Sequence, residues 1–341
     1  MTVLFRTDGS QRIGLGHISR CLALAQGLRK RGYEAAFITR STEEAIAGKI
    51  RAHGFAVHSV SPQCSQVEDQ KRAIVLAKES DPSSIVVLDG YGLDAAYQKV
   101  VKEAGISLMV IDDLAQDHAC ADLVLNQNIY ATAEPYSAGA HTRLLLGPAY
   151  ALLREEFASW RCRSRPISER ATRILVTLGG ADPDNQTLKV VRAIASLNGE
   201  IETTVVLGAA YAHTDLLTGY LTGRQGHFAL RSDVECMAEL MHWADLAVSA
   251  GGGTCWELAC LGVPNLVIAL ADDQRQNARG LAEAGISIDL GWWEEVSPES
   301  VADNLRQLIE NVAARRKMSQ AGKSLVDGHG VDKVVEAIRE L

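Results

Sequence analysis

The sequence predicts an α/β protein of two domains, each built around an open parallel β-sheet. Its length of 341 residues exceeds what a single hydrophobic core usually organises. Short apolar runs alternate with amphipathic helical stretches along the whole chain, as they do in βαβ units. The 29 glycines and the aromatic content of 5% also suit a fold with many tight strand-to-helix turns.

The first half of the chain contains apolar runs of the kind that form strands buried on both faces of a sheet. The clearest are 84–89 and 107–112, because each is a run of aliphatic residues that closes with an aspartate. The predicted elements, in order, are a strand at 3–6, a helix at 18–29, and strands at 35–39, 84–89, 107–112 and 122–125.

A break in this pattern at 161–166 marks the predicted linker. The stretch is basic and polar and contains a proline, so we divide the chain into domains 1–163 and 164–341. A new series of strands is predicted after the break, at 174–178, 202–207, 246–249 and 265–269. The second half therefore predicts another α/β unit of similar size.

The bulk composition argues against several classes of protein. A net charge of −8 disfavours a nucleic-acid surface, which needs a basic patch, but allows a small anionic ligand held by backbone N–H groups. The 7 cysteines form no CxxC pair and no cluster with zinc-ligand spacing, so we expect reduced thiols, no metal site and no cofactor. The chain starts directly with a strand and has no apolar run long enough to span a bilayer, which predicts a cytoplasmic protein without membrane insertion.

The first of three glycine-rich strand-to-helix turns runs from Arg12 to His17. Gly14 and Gly16 would let the backbone approach a ligand beside the N–H groups of the helix start. The turn lacks the third glycine of a dinucleotide fingerprint, and the next strand does not end with an acidic residue. NAD is therefore a poor candidate ligand.

His17 opens the helix that follows this turn. The helix dipole disfavours a protonated ring, so we expect a neutral imidazole near pH 7 that can accept a proton from water. An isolated histidine is more often a capping or core residue. The flanking glycines and the position at the carboxyl end of a strand, where ligands of open α/β sheets gather, favour the catalytic interpretation.

The second and third turns lie in the second half of the chain. Gly179 and Gly180 are predicted to contact the substrate, and they precede a helix that Asp182 or Asp184 is expected to cap. The third turn has three consecutive glycines, which are costly in chain entropy and favour an anion cradle of bare amides over a close strand–helix crossing. No Gly-Lys-Ser/Thr follows, which excludes a Walker loop. The residues predicted to bind at the third turn are Ser249, Gly251, Gly252, Gly253 and Thr254.

Three polar side chains follow the third turn at helical spacing. Glu257 could be stabilised by the helix dipole or could accept hydrogen bonds from a ribose diol. Gln274 and Asn277 are three residues apart and can share a helix face. Their amides suit hydroxyl and acetamido groups of a sugar, although they could equally be solvated side chains of a first helical turn.

Polar residues also collect at predicted strand ends in the first half. They are Asp8, Asp89, Tyr91 and Asp112. Several could point into one crevice, because the carboxyl ends of parallel strands share an edge of the sheet. Each could instead serve a turn or a helix cap.

These motifs together resemble two known protein families. The third turn with its flanks, from 244–249 through 262–264 to Gln274 and Asn277, resembles the donor-binding segment of GT-B glycosyltransferases such as MurG. Residues 6–9 and 13–20 resemble the PseG family of UDP-sugar hydrolases and the related spore-coat protein SpsG. Further segments similar to PseG are 88–92, 111–113, 125–128, 147–154 and 176–180, so that the likeness covers nearly the whole chain.

The resemblance implies a GT-B fold, in which two Rossmann-like domains with parallel sheets face each other across a cleft. It implies metal-independent hydrolysis of UDP-2,4-diacetamido-2,4,6-trideoxy-β-L-altropyranose to UDP and the free sugar, a step of pseudaminic acid biosynthesis. Water would attack C1 with inversion. The implied partner is this small molecule. A glycosyltransferase, a UDP-sugar 2-epimerase and a non-catalytic nucleotide-sugar binding protein are the competing hypotheses.

The resemblance also implies roles for individual residues. His17 would be the base, Tyr91 would lie near the reacting sugar, and Asp8 with Arg6 would orient the site. The triple-glycine turn would hold the diphosphate and Glu257 the ribose. Gln274 and Asn277 would contact the sugar or the diphosphate. One departure from the family pattern is Gly90, where a bulkier polar residue is expected before the tyrosine.

Overall fold

The computed structural model describes residues 1–9, 14–40, 44–114, 120–136, 141–223, 227–232 and 234–341. The chain forms two compact units. The first contains Met1–Glu155 together with His329–Leu341, and the second contains Glu156–Gly328.

The first unit is built on a parallel sheet of seven strands. The strands are β1 (Thr2–Thr7), β2 (Glu34–Thr39), β3 (Ala56–Ser59), β4 (Ile85–Asp89), β5 (Ser107–Ile111), β6 (Leu123–Asn126) and β7 (Arg143–Leu146), in the spatial order β3-β2-β1-β4-β5-β6-β7. Its helices are α1 (Gly16–Lys30), α2 (Glu44–Ala52), α3 (Gln66–Ser80), α4 (Ala95–Glu103) and the last helix of the chain, with a 3-10 turn at Pro148–Tyr150. The central strands are buried on both faces, as the aliphatic runs predict.

The strand order of the first unit reverses between β1 and β4. The chain goes from β1 outward to β2 and β3, and then returns to the other side of β1 with β4. In this register Thr7 at the end of β1 pairs with Asp89 at the end of β4. Ligands of open α/β sheets bind at such a switch point, outside the carboxyl ends of the strands. The turn that carries His17 starts here.

The second unit repeats the design with six parallel strands. The strands are β8 (Arg173–Thr177), β9 (Glu202–Val206), β10 (Phe228–Arg231), β11 (Leu246–Ala250), β12 (Asn265–Ala269) and β13 (Ser287–Trp292), in the order β10-β9-β8-β11-β12-β13. Its helices are α5 (Glu156–Trp160), α6 (Gln186–Ala195), α7 (Thr214–Leu221), α8 (Met237–Trp243), α9 (Thr254–Leu261), α10 (Asp272–Glu283), α11 (Pro298–Glu310) and α12 (Val312–Leu325). The switch point lies between β8 and β11, where the second and third glycine turns begin.

The final helix, α13 (Gly330–Arg339), packs within the first unit against α1 and the 3-10 turn. The sequence-based division at 163/164 assigns this segment to the second domain. That division stays a prediction. The packing depends on two glycines. A Cβ atom at Gly27 would lie 2.3 Å from Val331 Cγ1, and one at Gly330 would lie 2.2 Å from the Ala151 carbonyl oxygen.

Gly330→Ala is expected to loosen this helix. The added methyl group would meet the Ala151 backbone, which cannot turn aside as a side chain can, so we expect a loss of roughly 1–3 kcal/mol in the free energy of unfolding. Thermal and urea unfolding measure it. Gly48→Ala is the matched control, because Gly48 lies inside α2 and a Cβ there meets no atom within 4 Å. An equal loss in both variants would contradict the packing explanation.

Candidate functional site

His17 and Asp89 form a buried pair at the switch point of the first unit. His17 is the second residue of α1 and Asp89 is the last residue of β4. The Nδ1 atom of His17 lies 2.7 Å from Oδ1 of Asp89. The histidine is only 8% exposed and the aspartate is fully buried.

The charge of Asp89 determines which imidazole nitrogen carries the proton. Burial raises the pKa of Asp89, but Arg20 and His17 outweigh this, and the net pKa lies well below the usual value of 3.8. An ionised carboxylate can only accept hydrogen bonds, so Nδ1 of His17 must donate to it. The Nε2 atom then keeps its lone pair and can accept a proton. Arg20 Nη2 also lies 3.0 Å from Nδ1, but it donates to Asp89 Oδ1 at 2.6 Å instead.

The pKa of His17 differs in direction from the sequence-based expectation. Burial by itself lowers this pKa, but the Asp89 carboxylate outweighs burial, and the pKa is raised above the usual 6.5. The prediction of a ring kept neutral by the helix dipole is therefore wrong in direction. A full charge at hydrogen-bond distance outweighs the partial charge of a helix end. The ring is a stronger base than the helix position alone predicts.

A pocket of about 160 Å³ adjoins this pair, enough for more than one water molecule. Tyr91 stands at its edge with 55% of its surface exposed, and its ring meets that of His17 edge-on at 5.3 Å between centroids. Gly90 and Gly92 flank the tyrosine with φ of +151° and +85°, where other residues would be strained. The remaining lining residues are Arg20, Leu88, Leu93, Asp94, Val110, Ile111, Asp112, Asp113 and Leu114.

Arg6 and Asp8 lie in a different network, which ties β1 to α3 and β2. Arg6 is 1% exposed and donates to Asp69 through Nε at 3.0 Å and Nη2 at 2.9 Å. Its Nη1 donates to Asp8 at 2.7 Å, and Asp8 also accepts from the Arg40 N–H at 2.7 Å. In the described part of the chain neither Arg6 nor Asp8 lines the pocket beside His17. The structure thus brings His17 and Tyr91 together and shows Arg6 and Asp8 in structural contacts.

The first glycine turn is described from residue 14 onward, so Arg12 and Ile13 of the predicted motif lie outside the described residues. Gly14 has a φ of +81°, which favours glycine. Among the described residues, a Cβ atom at either Gly14 or Gly16 would meet no atom within 4 Å. Both glycines are therefore where a ligand could approach the start of α1.

The third turn starts at the end of β11 and leads into α9. No described side chain caps this helix at Gly253. The N–H groups of Cys255 and Trp256 donate to the carbonyls of Gly252 at 3.0 Å and Gly253 at 3.1 Å. Ser249 is fully buried and its Oγ accepts from Asn265 Nδ2 at 3.2 Å, which is a core contact. Thr254 is half-buried at the first helical position.

The second turn differs from the third in its helix start. Asp182 accepts hydrogen bonds from the N–H groups of Gln186 at 2.8 Å and Thr187 at 2.7 Å, as predicted. The N-cap residue itself is Asn185, whose Oδ1 accepts from the Leu188 N–H at 3.4 Å. The start of α6 is therefore occupied by an anion of the protein itself. Gly179 has a φ of +89°, and Gly180 accepts from the Ala210 N–H at 2.9 Å. The start of α9 differs, because no described side chain caps it.

Gln274 connects the third turn to the end of β12. Its Oε1 accepts from the N–H groups of Gly251 at 3.2 Å and Leu270 at 3.1 Å. This fixes the orientation of the amide and holds the glycine turn in place. Asn277 is 5% exposed, so it is not the solvated side chain of the alternative interpretation, and Glu257 is half-buried in the first turn of α9.

Sequence reasoning missed Arg20, Cys21 and Asp113. Arg20 lies between Asp89 and Asp113, and Cys21 Sγ donates to Asp89 at 3.2 Å. One signal was present, because Arg20 follows His17 by three residues and therefore shares its helix face. The pairing with two aspartates from other strands has no signal in a single sequence.

The described residues contain neither a candidate metal cluster nor a candidate membrane-spanning helix. No group of three or more His, Cys, Asp or Glu side chains there is arranged to hold a metal ion. None of the helices described is both long enough and apolar enough to cross a membrane.

Comparisons with known proteins show which sequences and structures this chain resembles. Residues 174–331 match the glycosyltransferase family 28 C-terminal domain. The spore coat polysaccharide biosynthesis protein SpsG of Bacillus subtilis is 28% identical over 340 residues, which cover 98% of this chain and 96% of SpsG. The UDP-2,4-diacetamido-2,4,6-trideoxy-beta-L-altropyranose hydrolase of Campylobacter jejuni is 27% identical over 295 residues, which cover 85% of this chain and 99% of the hydrolase.

Among solved structures, MurG of Acinetobacter baumannii superposes with a TM-score of 0.69 at 15% identity, over 100% of this chain and 99% of that one. This likeness shows the fold, which confirms the predicted GT-B class. The family and the relatives together indicate an enzyme that acts on nucleotide sugars. The homologues of this chain thus include SpsG and a PseG-type UDP-sugar hydrolase, and its fold is that of MurG.

Proposed function

We propose that this protein hydrolyses UDP-2,4-diacetamido-2,4,6-trideoxy-β-L-altropyranose to UDP and the free sugar, with His17 as the base. The observation that carries the proposal is the His17–Asp89 pair, with Nδ1 held 2.7 Å from an ionised carboxylate beside a pocket. A histidine held in this way presents Nε2 as a proton acceptor. The similarity to the Campylobacter jejuni hydrolase supports the choice of substrate.

The proposed reaction is a single displacement at C1. A water molecule in the pocket gives a proton to Nε2 of His17 while its oxygen forms a bond to C1 of the sugar. The bond from C1 to the phosphate oxygen breaks, and its electron pair leaves with UDP. Attack opposite the leaving group inverts C1. Asp89 stabilises the imidazolium that forms, because its charge lies next to Nδ1.

The leaving group would be held by the second unit. We assign the diphosphate to the turn at Gly251, Gly252 and Gly253 and to the start of α9, whose helix dipole favours negative charge. Gly251 shapes this turn, because its own N–H donates to Gln274. UDP becomes a better leaving group when that charge is stabilised. Glu257 would accept from the ribose, and Gln274 with Asn277 would contact the sugar or the diphosphate.

The pocket beside His17 also suits the chemistry of the proposed sugar. Its rim contains two exposed hydrophobic side chains, Tyr91 at 55% and Leu114 at 48%. Exposed apolar surface at a polar pocket favours a ligand with apolar groups of its own. The methyl groups of two acetamido substituents and of a 6-deoxy carbon are such groups.

The proposed location is the cytoplasm, where nucleotide sugars are soluble metabolites. All 7 cysteines are free thiols, which fits a reducing compartment.

Proton NMR of the purified protein with candidate UDP-diacetamido sugars tests the proposal. We expect UDP and free sugar to appear with no acceptor present, and the first anomer formed to be the inverted one. A reaction mixture without protein is the control. Release of UDP only after an acceptor is added would overturn hydrolysis and establish the alternative function, a glycosyltransferase, which the family 28 match favours. A new UDP-linked isomer without UDP release would indicate a 2-epimerase.

The pH dependence of kcat/KM provides a further prediction. His17 acts only when its ring is neutral, and its raised pKa keeps the ring protonated to higher pH than usual. Activity should therefore rise with pH through a midpoint above 6.5, the ordinary histidine value. The initial rate of UDP release, measured across the range in which histidines titrate, gives the midpoint. A midpoint at or below the ordinary value would contradict the role of Asp89.

A further inference from the structure

The guanidinium group of Arg20 lies between two carboxylates, directly behind the imidazole of His17. On one edge, Nε donates to Asp89 Oδ2 at 2.8 Å and Nη2 donates to Asp89 Oδ1 at 2.6 Å. On the other edge, Nη1 and Nη2 donate to the two oxygens of Asp113, each at 2.7 Å. Arg20 thus makes a bidentate contact with each of the two carboxylates, a fork of two hydrogen bonds to Asp89 and another to Asp113. Lysine, with a single ammonium group, cannot reproduce this geometry.

Asp113 is also fixed by hydrogen bonds from the segment that follows β6. Its Oδ1 accepts from Asn128 Nδ2 at 3.3 Å, and its backbone carbonyl accepts from the Tyr130 hydroxyl at 2.6 Å. These partners follow β6, whereas Asp113 follows β5 and Asp89 ends β4. Arg20 therefore links the ends of neighbouring strands to the helix that carries His17.

We propose that Arg20, anchored by Asp113, is the positioning residue that holds Asp89 against Nδ1 of His17 and so leaves Nε2 as the nitrogen that accepts a proton. The cause is geometric. Asp89 has two oxygens, and the Arg20 fork fixes both of them, so that Oδ1 is aimed at Nδ1. Without the fork the carboxylate could rotate, and the neutral ring could take either tautomer. The catalytic consequence rests on the proposed function, but the tautomer does not.

The charges around His17 predict the direction in which its pKa changes when a neighbouring charge is removed. The groups that face the ring are Asp89 from β4, Asp113 from the segment after β5, Arg20 from α1, and the edge of Tyr91. Asp89 and Asp113 raise the pKa of His17, whereas Arg20 lowers it. Loss of the Arg20 charge should therefore raise this pKa, and loss of the Asp113 charge should lower it.

Nitrogen-15 NMR of the histidine rings tests the inference without any substrate. In the wild type we expect His17 to titrate as one neutral tautomer, protonated at Nδ1. Arg20→Lys keeps the charge but not the fork, so we expect a mixture of tautomers. Arg29→Lys is the matched control on the same helix, and its His17 signals should equal those of the wild type. A single Nδ1–H tautomer in Arg20→Lys would overturn the proposal.

Kinetics then test the consequence for catalysis. Arg20→Lys should lower kcat about tenfold through misplacement of the base. The KM should change much less than kcat, since the Arg20 side chain is only 11% exposed and its donors are engaged by Asp89 and Asp113. A wild-type protein that releases no UDP would refute the proposed function, while the tautomer measurement would still decide the role of Arg20.

A variant without the positive charge could fail to fold, because it would leave two carboxylates close together. The double variant Arg20→Met with Asp113→Asn removes one charge of each sign, so that no pair of carboxylates is left unbalanced and the role of Arg20 can be tested in a folded protein. We expect it to show mixed tautomers and a lowered kcat, as Arg20→Lys does. Asp113→Asn alone should shift the His17 pKa downward. An unchanged tautomer and kcat in the double variant would overturn the inference.

Discussion

His17→Ala is expected to lower the rate of UDP-sugar hydrolysis by about 10²–10⁴-fold, the range typical of a lost general base. The variant removes the acceptor of the water proton but leaves the second unit, which is proposed to hold UDP, untouched. The affinity for UDP should therefore stay at the wild-type value. Turnover is measured by UDP release, and affinity by calorimetry with UDP.

Two other variants define what this loss means. His17→Gln keeps an N–H group that can donate to Asp89 but cannot accept a proton near neutral pH, so it should be as inactive as His17→Ala. His58→Ala changes a half-buried histidine on the edge strand β3 and should keep wild-type turnover. Substantial hydrolysis by both His17 variants would remove this residue from the mechanism. Loss of UDP binding in them would instead indicate a structural role.

Much of the fold could be predicted because its central, buried strands appear in the sequence as continuous aliphatic runs. The runs that become β4 and β5 are aliphatic and end with Asp89 and Ile111, close to the predicted bounds. The strands that were not predicted are short or lie at sheet edges, where burial is partial. β3 and β10, for example, contain only exposed and half-buried residues. Such strands lack the continuous apolar pattern by which the central ones were recognised.

The docking of α13 on the first unit could not be predicted for a different reason. Its residues carry an ordinary helical pattern, and the close approaches of Gly330 to Ala151 and of Gly27 to Val331 show where the helix packs. These contacts join positions far apart in sequence, and a single sequence does not record them.

The site shows the same division between local and long-range information. The glycine turns and His17 were recognisable because their chemistry is written in a few neighbouring residues. The direction of the His17 pKa shift could not be predicted in this way, since it depends on Asp89, which lies 72 residues further along the chain. A helix dipole contributes about 0.3–1 kcal/mol at an exposed site, whereas a carboxylate in contact can shift a pKa by 1–3 units. Local reasoning identified the residue and missed the stronger of the two influences on it.

The proposed binding of the diphosphate at the start of α9 predicts a large loss of UDP affinity when a negative charge is placed there. Gly253→Asp should weaken UDP binding about a hundredfold, or about 2.7 kcal/mol. Gly253 is exposed and has helical φ and ψ of −56° and −25°, and a Cβ there would meet nothing within 4 Å. The aspartate should therefore fit without strain. Its charge would occupy the place of the diphosphate, as Asp182 occupies the start of α6.

The expected size follows from Coulomb energies. Two like charges about 4 Å apart repel by roughly 1 kcal/mol in water and roughly 4 kcal/mol at an effective dielectric constant of about 20, and the predicted loss lies between these limits. Gly253→Asn has the same shape without the charge, so it should retain most of the affinity. Calorimetry with UDP compares the two variants at low and high salt, and the difference should shrink as ionic strength rises. Thermal unfolding should show no loss of stability in Gly253→Asp, since an acidic group at a helix start is favourable. Equal UDP affinity in the two variants would place the diphosphate elsewhere than at the start of α9.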